Sequence, residues 1–393
     1  MAFVNIKPRE KFLPIATAVF GEEEKKEIIE TLESGWITLG PRTKKFEEDL
    51  VNYIGARYAV ALNSCSAALH LALLAAGVGK GDEVITTPFT FAATVNAILH
   101  TGAKPIFVDI ESDTLNIDAS KVERAITKKT RMLLPVHYGG YPVDLDTFQS
   151  LAKKYGLLLI EDAAHAIGAE YKGKKIGTIG DMTCFSFHPV KNMTTGDGGA
   201  VVTNNKDFAD KLTVLRVNGM DKESWKRNTT TGAWDYAITA LGFKYHMNDI
   251  AAALGIWQLK KLDDNNKHRK VLAESYDKEF EGYKYIKRLT RASHIKHAYN
   301  LYPILLNIFK LKVTRNEIME KMKAYNVGSV VYYRPLHMHK FYENLLGYKA
   351  GSFPVAEETF EKLICLPMYA GMSISDAKYV ADLLKYLINE NLK

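Results

Sequence analysis

The sequence contains little cysteine and no recognisable metal-binding pattern. Its three cysteines lie far apart and form no Cys-x-x-Cys pair: Cys65, Cys184 and Cys365. This spacing excludes a disulfide framework and a structural zinc site, and it is typical of a protein from a reducing cytoplasm. The 11 histidines do not cluster with carboxylates at the spacing of metal ligands, so we expect no metal-binding site.

Long apolar runs and a strong excess of one charge are also lacking. The longest apolar run, Ala67 to Val78, has 12 residues, is interrupted by His70 and is too short to span a bilayer. The N-terminus has no basic segment followed by an apolar stretch, so no signal peptide is predicted. The 52 Lys and Arg residues exceed the 45 Asp and Glu residues by only 7. We therefore expect a cytoplasmic protein that binds neither membrane nor nucleic acid, and the mild positive charge suits a small anionic substrate.

Two nucleotide-binding signatures are missing as well. The segment Gly77-Val78-Gly79-Lys80-Gly81 lacks the Gly-x-Gly-x-x-Gly spacing and the position after a strand that a dinucleotide site needs. The sequence also has no Walker A motif. A nicotinamide-dependent oxidoreductase is therefore disfavoured.

The pattern of apolar residues predicts an α/β fold. Short β-branched runs alternate with amphipathic stretches between residues 55 and 205, and runs such as Leu157–Ile160 are continuously apolar, as in strands covered on both faces. The predicted strands are Tyr58–Asn63, Glu83–Thr87, Pro105–Ile110, Met132–His137, Leu157–Glu161, Thr183–Phe187 and Ala200–Thr203. This alternation favours a mostly parallel, seven-stranded sheet between helices.

Helical patterns dominate after residue 205 and lead into a second, shorter alternation. Its predicted elements are a long charged helix from Asn265 to Phe280, a strand near Asn300–Leu306, a helix near Arg315–Tyr325, a strand near Ser329–Tyr333 and a terminal helix from Ser375. We place a domain boundary beside the long helix, which gives a large α/β domain at residues 1–265 and a smaller α+β domain at residues 266–393.

Ligands bind open parallel sheets at the carboxyl ends of the strands, and three predicted strand ends carry unusual residues. The first, Asn63-Ser64-Cys65-Ser66, joins a strand to a helix. Its hydroxyls, its backbone N–H groups and the positive end of the helix dipole suit a phosphate. The alternative is an ordinary serine N-cap.

The second strand end, Glu161-Asp162-Ala163-Ala164-His165, follows the apolar run Leu157–Ile160. A carboxylate at this place can hold a proton on a heteroaromatic nitrogen. His165, one helical turn further along, would lie on the same face. The alternative is that Asp162 caps a helix and that His165 is its satisfied neighbour.

The third strand end runs from Phe185 to Asn192 and precedes a glycine-rich turn at Gly196–Gly199. The lone lysine in it, Lys191, can form a Schiff base if its surroundings lower its pKa. Ser186, at the start of the same segment, could give a second hydroxyl to a phosphate. The alternative is that Lys191 pairs with Asp197.

Together the three strand ends describe a site for pyridoxal phosphate. Its requirements are a phosphate cradle (Ser64, Cys65, Ser66 and Ser186), a carboxylate at the pyridine nitrogen (Asp162), an imidazole near a ring oxygen (His165) and an imine-forming lysine (Lys191). Phe91, which follows the strand Glu83–Thr87, could stack on the ring face or could equally be a core aromatic.

A further set of short motifs follows in an order that resembles the DegT/DnrJ/EryC1/StrS sugar aminotransferases, within the fold-type-I pyridoxal-phosphate enzymes. These motifs are Ser34–Pro41, Asn63–Ala68, Pro135–Gly139, Ile160–His165, Phe185–Lys191, Gly196–Gly199, Asn300–Pro303 and Tyr333–His337. The loop at Gly35–Thr38 looks most like that of enzymes that aminate C4 of UDP-linked 4-keto sugars. Those enzymes make nucleotides of 4-amino-4-deoxy-L-arabinose or of 4-amino-6-deoxy-hexosamines.

The resemblance implies a transaminase that takes the amino group from L-glutamate, passes it to the keto sugar and shares its active sites across a homodimer. It implies that Lys191 is the catalytic residue, holding the cofactor and moving a proton. The implied cofactor-binding residues are Ser64, Cys65, Ser66, Phe91, Asp162, His165, Ser186, Lys191 and Lys244. The implied substrate-binding residues are Trp36, Thr38, His188, His246, Tyr333, Arg334 and His337.

One segment departs from the family. A loop that reaches the neighbouring subunit's site commonly reads Gly-Tyr-Asn-x-Arg, whereas this chain has Gly242-Phe243-Lys244-Tyr245-His246. Lys244 could reach a phosphate by its charge, but Asn and Lys are different donors and His is shorter than Arg. The sequence leaves open whether Lys244 and His246 take over those contacts.

Other functions of the same fold are disfavoured by two residues. A deoxygenating dehydratase would have histidine at the position of Lys191, and a non-catalytic sensor would have lost Lys191 or Asp162. A 3-keto-sugar aminotransferase acting on a dTDP sugar stays open. The sequence does not identify the sugar, the nucleotide or any assembly beyond a dimer.

Overall fold

A seven-stranded sheet forms the centre of the structure, a computed structural model that describes residues 6–221 and 235–393. The first nine strands are β1 Tyr58–Leu62, β2 Glu83–Thr86, β3 Lys104–Phe107, β4 Thr130–Leu133, β5 Leu158–Asp162, β6 Glu170–Tyr171, β7 Lys174–Lys175, β8 Met182–Ser186 and β9 Gly199–Thr203. The order in the sheet is β1-β9-β8-β5-β4-β2-β3, and only β9 runs antiparallel to its neighbours. The predicted mostly parallel, seven-stranded α/β layer is confirmed.

Helices cover both faces of this sheet because its strands are apolar on both sides. In β1, Ala61 packs in one core cluster whereas Val60 and Leu62 pack in another, so successive side chains enter opposite layers. The helices of this part are Glu22–Glu33, Pro41–Ile54, Cys65–Ala75, Ala92–His100, Ala119–Val122, Leu145–Tyr155, Lys206–Leu215 and Asp249–Lys260, with 3₁₀ helices at Glu123–Ala125 and Tyr138–Gly140.

A smaller layer follows the long helix Leu262–Glu279. Its strands are β10 Ile286–Arg288, β12 Tyr302–Leu306 and β13 Leu363–Leu366, while β11 Ile295–Lys296 pairs with β6. Its helices are Arg315–Ala324, Lys340–Leu346, Pro354–Lys362 and Ile374–Asn389, with 3₁₀ helices at Ile308–Lys310 and Leu336–Met338. Leu13 packs in the same core as Tyr276 and Ile304, so the N-terminal segment joins this layer. The domain boundary at residue 265 stays a prediction.

Two local expectations are wrong. The segment Ser329–Tyr333 is not a strand, since it makes only an isolated bridge from Val330 to Cys365 and its Tyr332 carbonyl accepts from a tyrosine hydroxyl instead. The residues after Asp162 form turns rather than a helix, because the backbone N–H of Ala163 is bonded to the neighbouring strand β8. In the part of the chain described here, no helix combines the length and apolarity that crossing a membrane requires.

Candidate active site

A cavity of about 250 Å³ opens at the carboxyl ends of the central strands. Ten of the residues predicted for the site line it: Ser64, Cys65, Ser66, Phe91, Asp162, His165, Ser186, His188, Lys191 and Tyr333. Ile15 and Met368 also contribute, so the N-terminal segment and the smaller layer close the side that the sheet leaves open. Neither of these two residues was predicted.

The first strand end presents hydroxyl and N–H groups at a helix N-terminus. Ser64 Oγ accepts a hydrogen bond of 3.1 Å from the backbone N–H of Ala67, so this serine is indeed the N-cap of the helix Cys65–Ala75. A Cβ atom at Gly199 would lie 2.6 Å from Ser64 O and Cys65 N, which explains why glycine begins β9 here. The close approach fixes the turn, and Ser186 faces the same cavity from the end of β8.

Asp162 is the only carboxylate of β5 that lines the cavity, and it is 4 % exposed. Its Oδ1 accepts from the backbone N–H of Ala164 at 3.1 Å, and its Oδ2 accepts from the Thr94 hydroxyl at 2.7 Å. Burial raises the pKa of this carboxyl above its ordinary value, whereas these donors and the charge of Lys191 oppose the rise. The two donors and the charge of Lys191 therefore favour the ionised form of Asp162 against burial, and a cationic partner would favour it further.

His165 is held as a neutral imidazole. Burial and the nearby charge of Lys191 lower its pKa well below the ordinary value. Its Nδ1 accepts from the backbone N–H of Gly139 at 3.2 Å, so the ring proton must sit on Nε2. Nε2 lies 3.1 Å from the Tyr333 hydroxyl oxygen, to which it donates, and the two rings are stacked at an interplanar angle of 9°. The tautomer is thus set by its neighbours.

Lys191 follows β8 in a short loop that side chains beyond residue 265 hold in place. Asn192 Nδ2 donates to Asn266 Oδ1 at 2.6 Å, and Arg269 Nη2 donates to the Lys191 carbonyl at 3.5 Å. Burial lowers the pKa of Lys191 to about 8, although the charge of Asp162 acts in the opposite direction. Near neutral pH a useful fraction of this amine is therefore uncharged and nucleophilic. No ion pair joins Lys191 to Asp197 within residues 6–221 and 235–393.

Phe91 is a surface aromatic at the cavity mouth. Its side chain is 61 % exposed, which excludes the alternative that it belongs to the core. Its ring centroid lies 6.1 Å from that of Tyr333, so the two rings border the same opening.

The remaining predicted residues do not line the cavity of this chain: Trp36, Thr38, Lys244, His246, Arg334 and His337. Thr38 Oγ1 and His246 Nε2 lie 3.3 Å apart, which brings the loop Trp36–Leu39, the first loop, and the 242–246 segment together. Arg334 Nη2 donates to the Met338 carbonyl at 2.9 Å. His337 is buried with its Nε2 2.8 Å from Glu357 Oε1. The substrate-binding roles of these residues stay predictions.

A buried carboxylate that the sequence did not single out anchors the first loop. Asp249 accepts from the backbone N–H groups of Gly40, Arg42 and Thr43 at 2.9–3.0 Å and from the Thr43 hydroxyl at 2.7 Å. Its own backbone N–H donates to the Thr38 carbonyl at 3.1 Å. The partners are about 200 residues apart, and no local spacing could have indicated the contact.

The donor set of the cavity fits pyridoxal phosphate. Backbone N–H and hydroxyl groups at Ser64–Ser66 suit the phosphate, the buried carboxylate of Asp162 suits a protonated ring nitrogen, and Lys191 supplies a reactive amine. When bound, this cofactor acts as an electron sink for the carbon that carries the transferred amino group. Asp162 would keep the proton on the ring nitrogen, and Lys191 Nζ would accept and return the proton of that carbon.

Known proteins of similar sequence and structure support this assignment. Residues 19–385 match the model of the DegT/DnrJ/EryC1/StrS aminotransferase family. The chain is 43 % identical over 386 residues to the spore coat polysaccharide biosynthesis protein SpsC of Bacillus subtilis, covering 98 % of this chain and 99 % of the relative.

Two solved structures extend the similarity to the fold. Spr1654 of Streptococcus pneumoniae, described as a sugar aminotransferase and solved in its PMP form, is 33 % identical, with a TM-score of 0.90 and coverage of 96 % of this chain and 99 % of that one. Helicobacter pylori PseC, an aminotransferase involved in the biosynthesis of pseudoaminic acid, is 31 % identical, with a TM-score of 0.90 and coverage of 97 % and 100 %.

These similarities confirm the predicted family, the fold-type-I architecture and the transaminase class. Spr1654 has also been solved in its PLP form, with 32 % identity and a TM-score of 0.89, in agreement with pyridoxal phosphate as the predicted cofactor. The chain is a pyridoxal-phosphate-dependent enzyme and belongs to the DegT/DnrJ/EryC1/StrS aminotransferase family.

Proposed function

We propose that the enzyme transfers an amino group from L-glutamate to C4 of a UDP-linked 4-keto sugar. The product would be a nucleotide of the 4-amino-4-deoxy-L-arabinose or 4-amino-4,6-dideoxy-hexosamine type, used for a cell-surface glycan. The observation that carries the proposal is the cavity in which Lys191 faces Asp162 and His165, with His188 and Tyr333 at its opening. The names of SpsC and PseC, which link both relatives to glycan building blocks, support a sugar substrate.

The sugar nucleotide would lie between the loop Trp36–Leu39 and the segment Tyr333–His337. Thr38 is exposed and its hydroxyl faces His246 at 3.3 Å, so a polar surface continues from the first loop to the 242–246 segment. Arg334 and Lys244 are exposed cations that suit a diphosphate. Their charges are useful because Lys191 is the only Lys or Arg that lines the cavity in the described part of the chain.

Glutamate would react first and the keto sugar second, at the same Lys191. The neutral Lys191 amine takes a proton from the amino-donor carbon in the first half of the cycle and gives one to C4 of the sugar in the second. His165, held neutral with its proton on Nε2, donates a hydrogen bond and adds no charge next to Lys191.

A second copy of the chain would complete the site. The helix Glu22–Glu33 buries polar Glu24 and Thr31, which are 1 % and 0 % exposed, but leaves Ile29 and Leu32 54–55 % exposed. Leu241, three residues before Lys244, is 90 % exposed. Apolar side chains on an outer face are a mark of an interface, so we propose a cytoplasmic homodimer that covers them. Leu241→Glu should then shift the molar mass measured by light scattering toward the monomer, with exposed Lys206→Glu as its control.

The experiment that tests the function is incubation of the cofactor-loaded enzyme with ¹⁵N-glutamate and a panel of nucleotide keto sugars. The panel holds UDP 4-keto sugars and dTDP 3-keto sugars, and mass spectrometry detects the amino sugar. We expect labelled product from a UDP 4-keto sugar and none with Lys191→Ala. If the ¹⁵N label appears only in a dTDP 3-keto sugar, that sugar is the substrate in place of the proposed one. If no sugar is labelled, the proposal is contradicted.

A further inference from the structure

The hydroxyls of Thr90 and Thr94 form a hydrogen-bonded relay that ends on Asp162. Thr90 Oγ1 and Thr94 Oγ1 lie 2.8 Å apart, and Thr94 Oγ1 lies 2.7 Å from Asp162 Oδ2. Both threonines are buried, at 2 % and 1 % exposure, and both line the cavity. Thr94 appeared above only as one donor to Asp162, and Thr90 has had no role in the site so far.

The ionised carboxylate decides which hydroxyl donates in each hydrogen bond of this relay. An ionised carboxylate can only accept, so the single hydroxyl proton of Thr94 points to Asp162. The Thr94 oxygen is then left as an acceptor, and the proton of the 2.8 Å bond must come from Thr90. A hydroxyl that accepts one hydrogen bond donates a stronger one, so Thr90 strengthens the bond from Thr94 to Asp162.

We propose that Thr94, supported by Thr90, is a positioning residue that keeps Asp162 ionised and aimed at the ring nitrogen of pyridoxal phosphate. The proposal rests on the cofactor and not on the identity of the sugar. The Ala164 N–H donates to the other carboxylate oxygen, Oδ1, and the His137 N–H holds the backbone by donating to the Asp162 carbonyl at 3.0 Å. Thr94 is thus the side-chain donor among the groups that orient this carboxylate.

The position of Thr94 in its helix adds to the effect. It is the third residue of the helix Ala92–His100, whose N-cap, Phe91, has no side-chain hydrogen bond of its own. The first turn of a helix carries partial positive charge, which favours a nearby anion. In line with this, the Thr94 hydrogen bond lowers the pKa of Asp162 against the effect of burial.

The test compares Thr94→Val, Thr90→Val and Thr94→Ser with a matched control, Thr86→Val. Thr86 is a buried threonine at the end of β2 whose hydroxyl has no hydrogen-bond partner among the described residues, so its replacement removes a hydroxyl but no bond. Each variant is titrated with pyridoxal phosphate to measure its dissociation constant. The ¹⁵N resonance of ring-labelled cofactor then reports protonation of the ring nitrogen.

We expect Thr94→Val to weaken cofactor binding about 10- to 100-fold, as the loss of a hydrogen bond to a charged group does. Its ¹⁵N resonance should move toward that of the unprotonated ring, because the shared proton shifts to Asp162. Thr90→Val should show the same changes at about 2- to 10-fold. Thr94→Ser, which keeps the hydroxyl, and Thr86→Val should resemble the wild type.

Each contrary outcome has a distinct meaning. If Thr94→Val and Thr86→Val give the same resonance and dissociation constant, the relay is refuted while the cofactor assignment stands. If the wild type does not bind pyridoxal phosphate, the cofactor assignment fails and the relay with it. If Thr94→Val does not fold, Thr90→Val decides, and wild-type behaviour of that variant refutes the relay.

Discussion

The cavity at the strand ends, called the cofactor end, and the loops proposed to bind the sugar nucleotide, called the substrate end, are built in different ways. At the cofactor end, Asp162 and His165 are each 4 % exposed. Both carboxylate oxygens of Asp162 and both ring nitrogens of His165 are hydrogen-bonded. Asp162 ends the central strand β5, and His165 lies in the turn after it. At the other end, Thr38, Lys244 and Arg334 are exposed and belong to loops. The contrast matches the chemistry, because a permanent cofactor needs fixed groups whereas an exchanging substrate needs access.

The difference also concerns charge. The cofactor end adjusts its charges by burial, which lowers the pKa of Lys191 and His165 and raises that of Asp162. The substrate end keeps its cations in solvent, where each contributes less but can meet a ligand without prior desolvation. Changes at the first end should therefore disturb both halves of the reaction, and changes at the second should disturb binding of the sugar nucleotide alone.

The largest effect is expected from Lys191→Ala. Without the amine, neither the covalent link to the cofactor nor proton transfer at the reacting carbon is available, so turnover should fall to background. Absorbance of the bound cofactor and product mass measure the two losses. Exposed Lys206→Ala serves as the control that keeps the link, and unchanged turnover in Lys191→Ala would reject the assignment.

The next largest effect is expected from Asp162→Asn. A neutral amide cannot hold the ring nitrogen protonated, so the rate should fall about 10³-fold or more, over 4 kcal/mol of barrier. Both half-reactions should slow, while thermal unfolding of the protein stays close to that of the wild type. A rate loss below tenfold would mean that Asp162 only stabilises the turn after β5, by accepting the hydrogen bond from the Ala164 N–H.

A smaller and one-sided effect is expected at the substrate end. Arg334→Ala or Lys244→Ala should weaken UDP binding about 10- to 100-fold, because cationic contacts to phosphate are worth roughly 1.5–3 kcal/mol. The glutamate half-reaction should change little, unless Lys244 also holds the cofactor phosphate. Calorimetric titration with UDP measures the change, with Lys206→Ala as control, and unchanged affinity in both variants would remove these residues from the site.

The smallest effect concerns pH. Only the neutral amine of Lys191 can capture added pyridoxal phosphate, and the lowered pKa of about 8 places its titration in an accessible range. The capture rate should rise about tenfold between pH 7 and 9 and level off above. Asp162→Asn removes a negative charge that favours the ammonium form, so the midpoint should move to lower pH. A midpoint near that of a solvated lysine would contradict the effect of burial.

The order of strands made much of the cofactor end predictable. Continuous apolar runs mark the central strands, and parallel strands bring their carboxyl ends to one edge, so Ser64, Asp162 and Lys191 could be placed together before any coordinates. The turn after Asp162 could not, because it depends on a hydrogen bond from Ala163 to the Cys184 carbonyl of β8. Thr94 had a local signal, four residues after Thr90, which is the spacing of one helical turn.

The substrate end was less predictable for physical reasons. Asp249 holds the loop Trp36–Leu39 through its own N–H, which donates to the Thr38 carbonyl, and holds the adjoining helix start through its carboxylate. These contacts span some 200 residues and leave no trace in local patterns. Lys244 and Arg334 are exposed, and their predicted ligands come from outside this chain. Their binding roles therefore depend on molecules outside the chain, which no pattern within it encodes.

Lys191 is expected to carry the cofactor in the cavity at the strand ends. Borohydride reduction of the enzyme loaded with pyridoxal phosphate, followed by proteolysis and mass spectrometry, tests it most directly. We expect one reduced adduct, on the peptide that contains Lys191. An adduct on another lysine, or none in enzyme that still transfers the amino group, would contradict it.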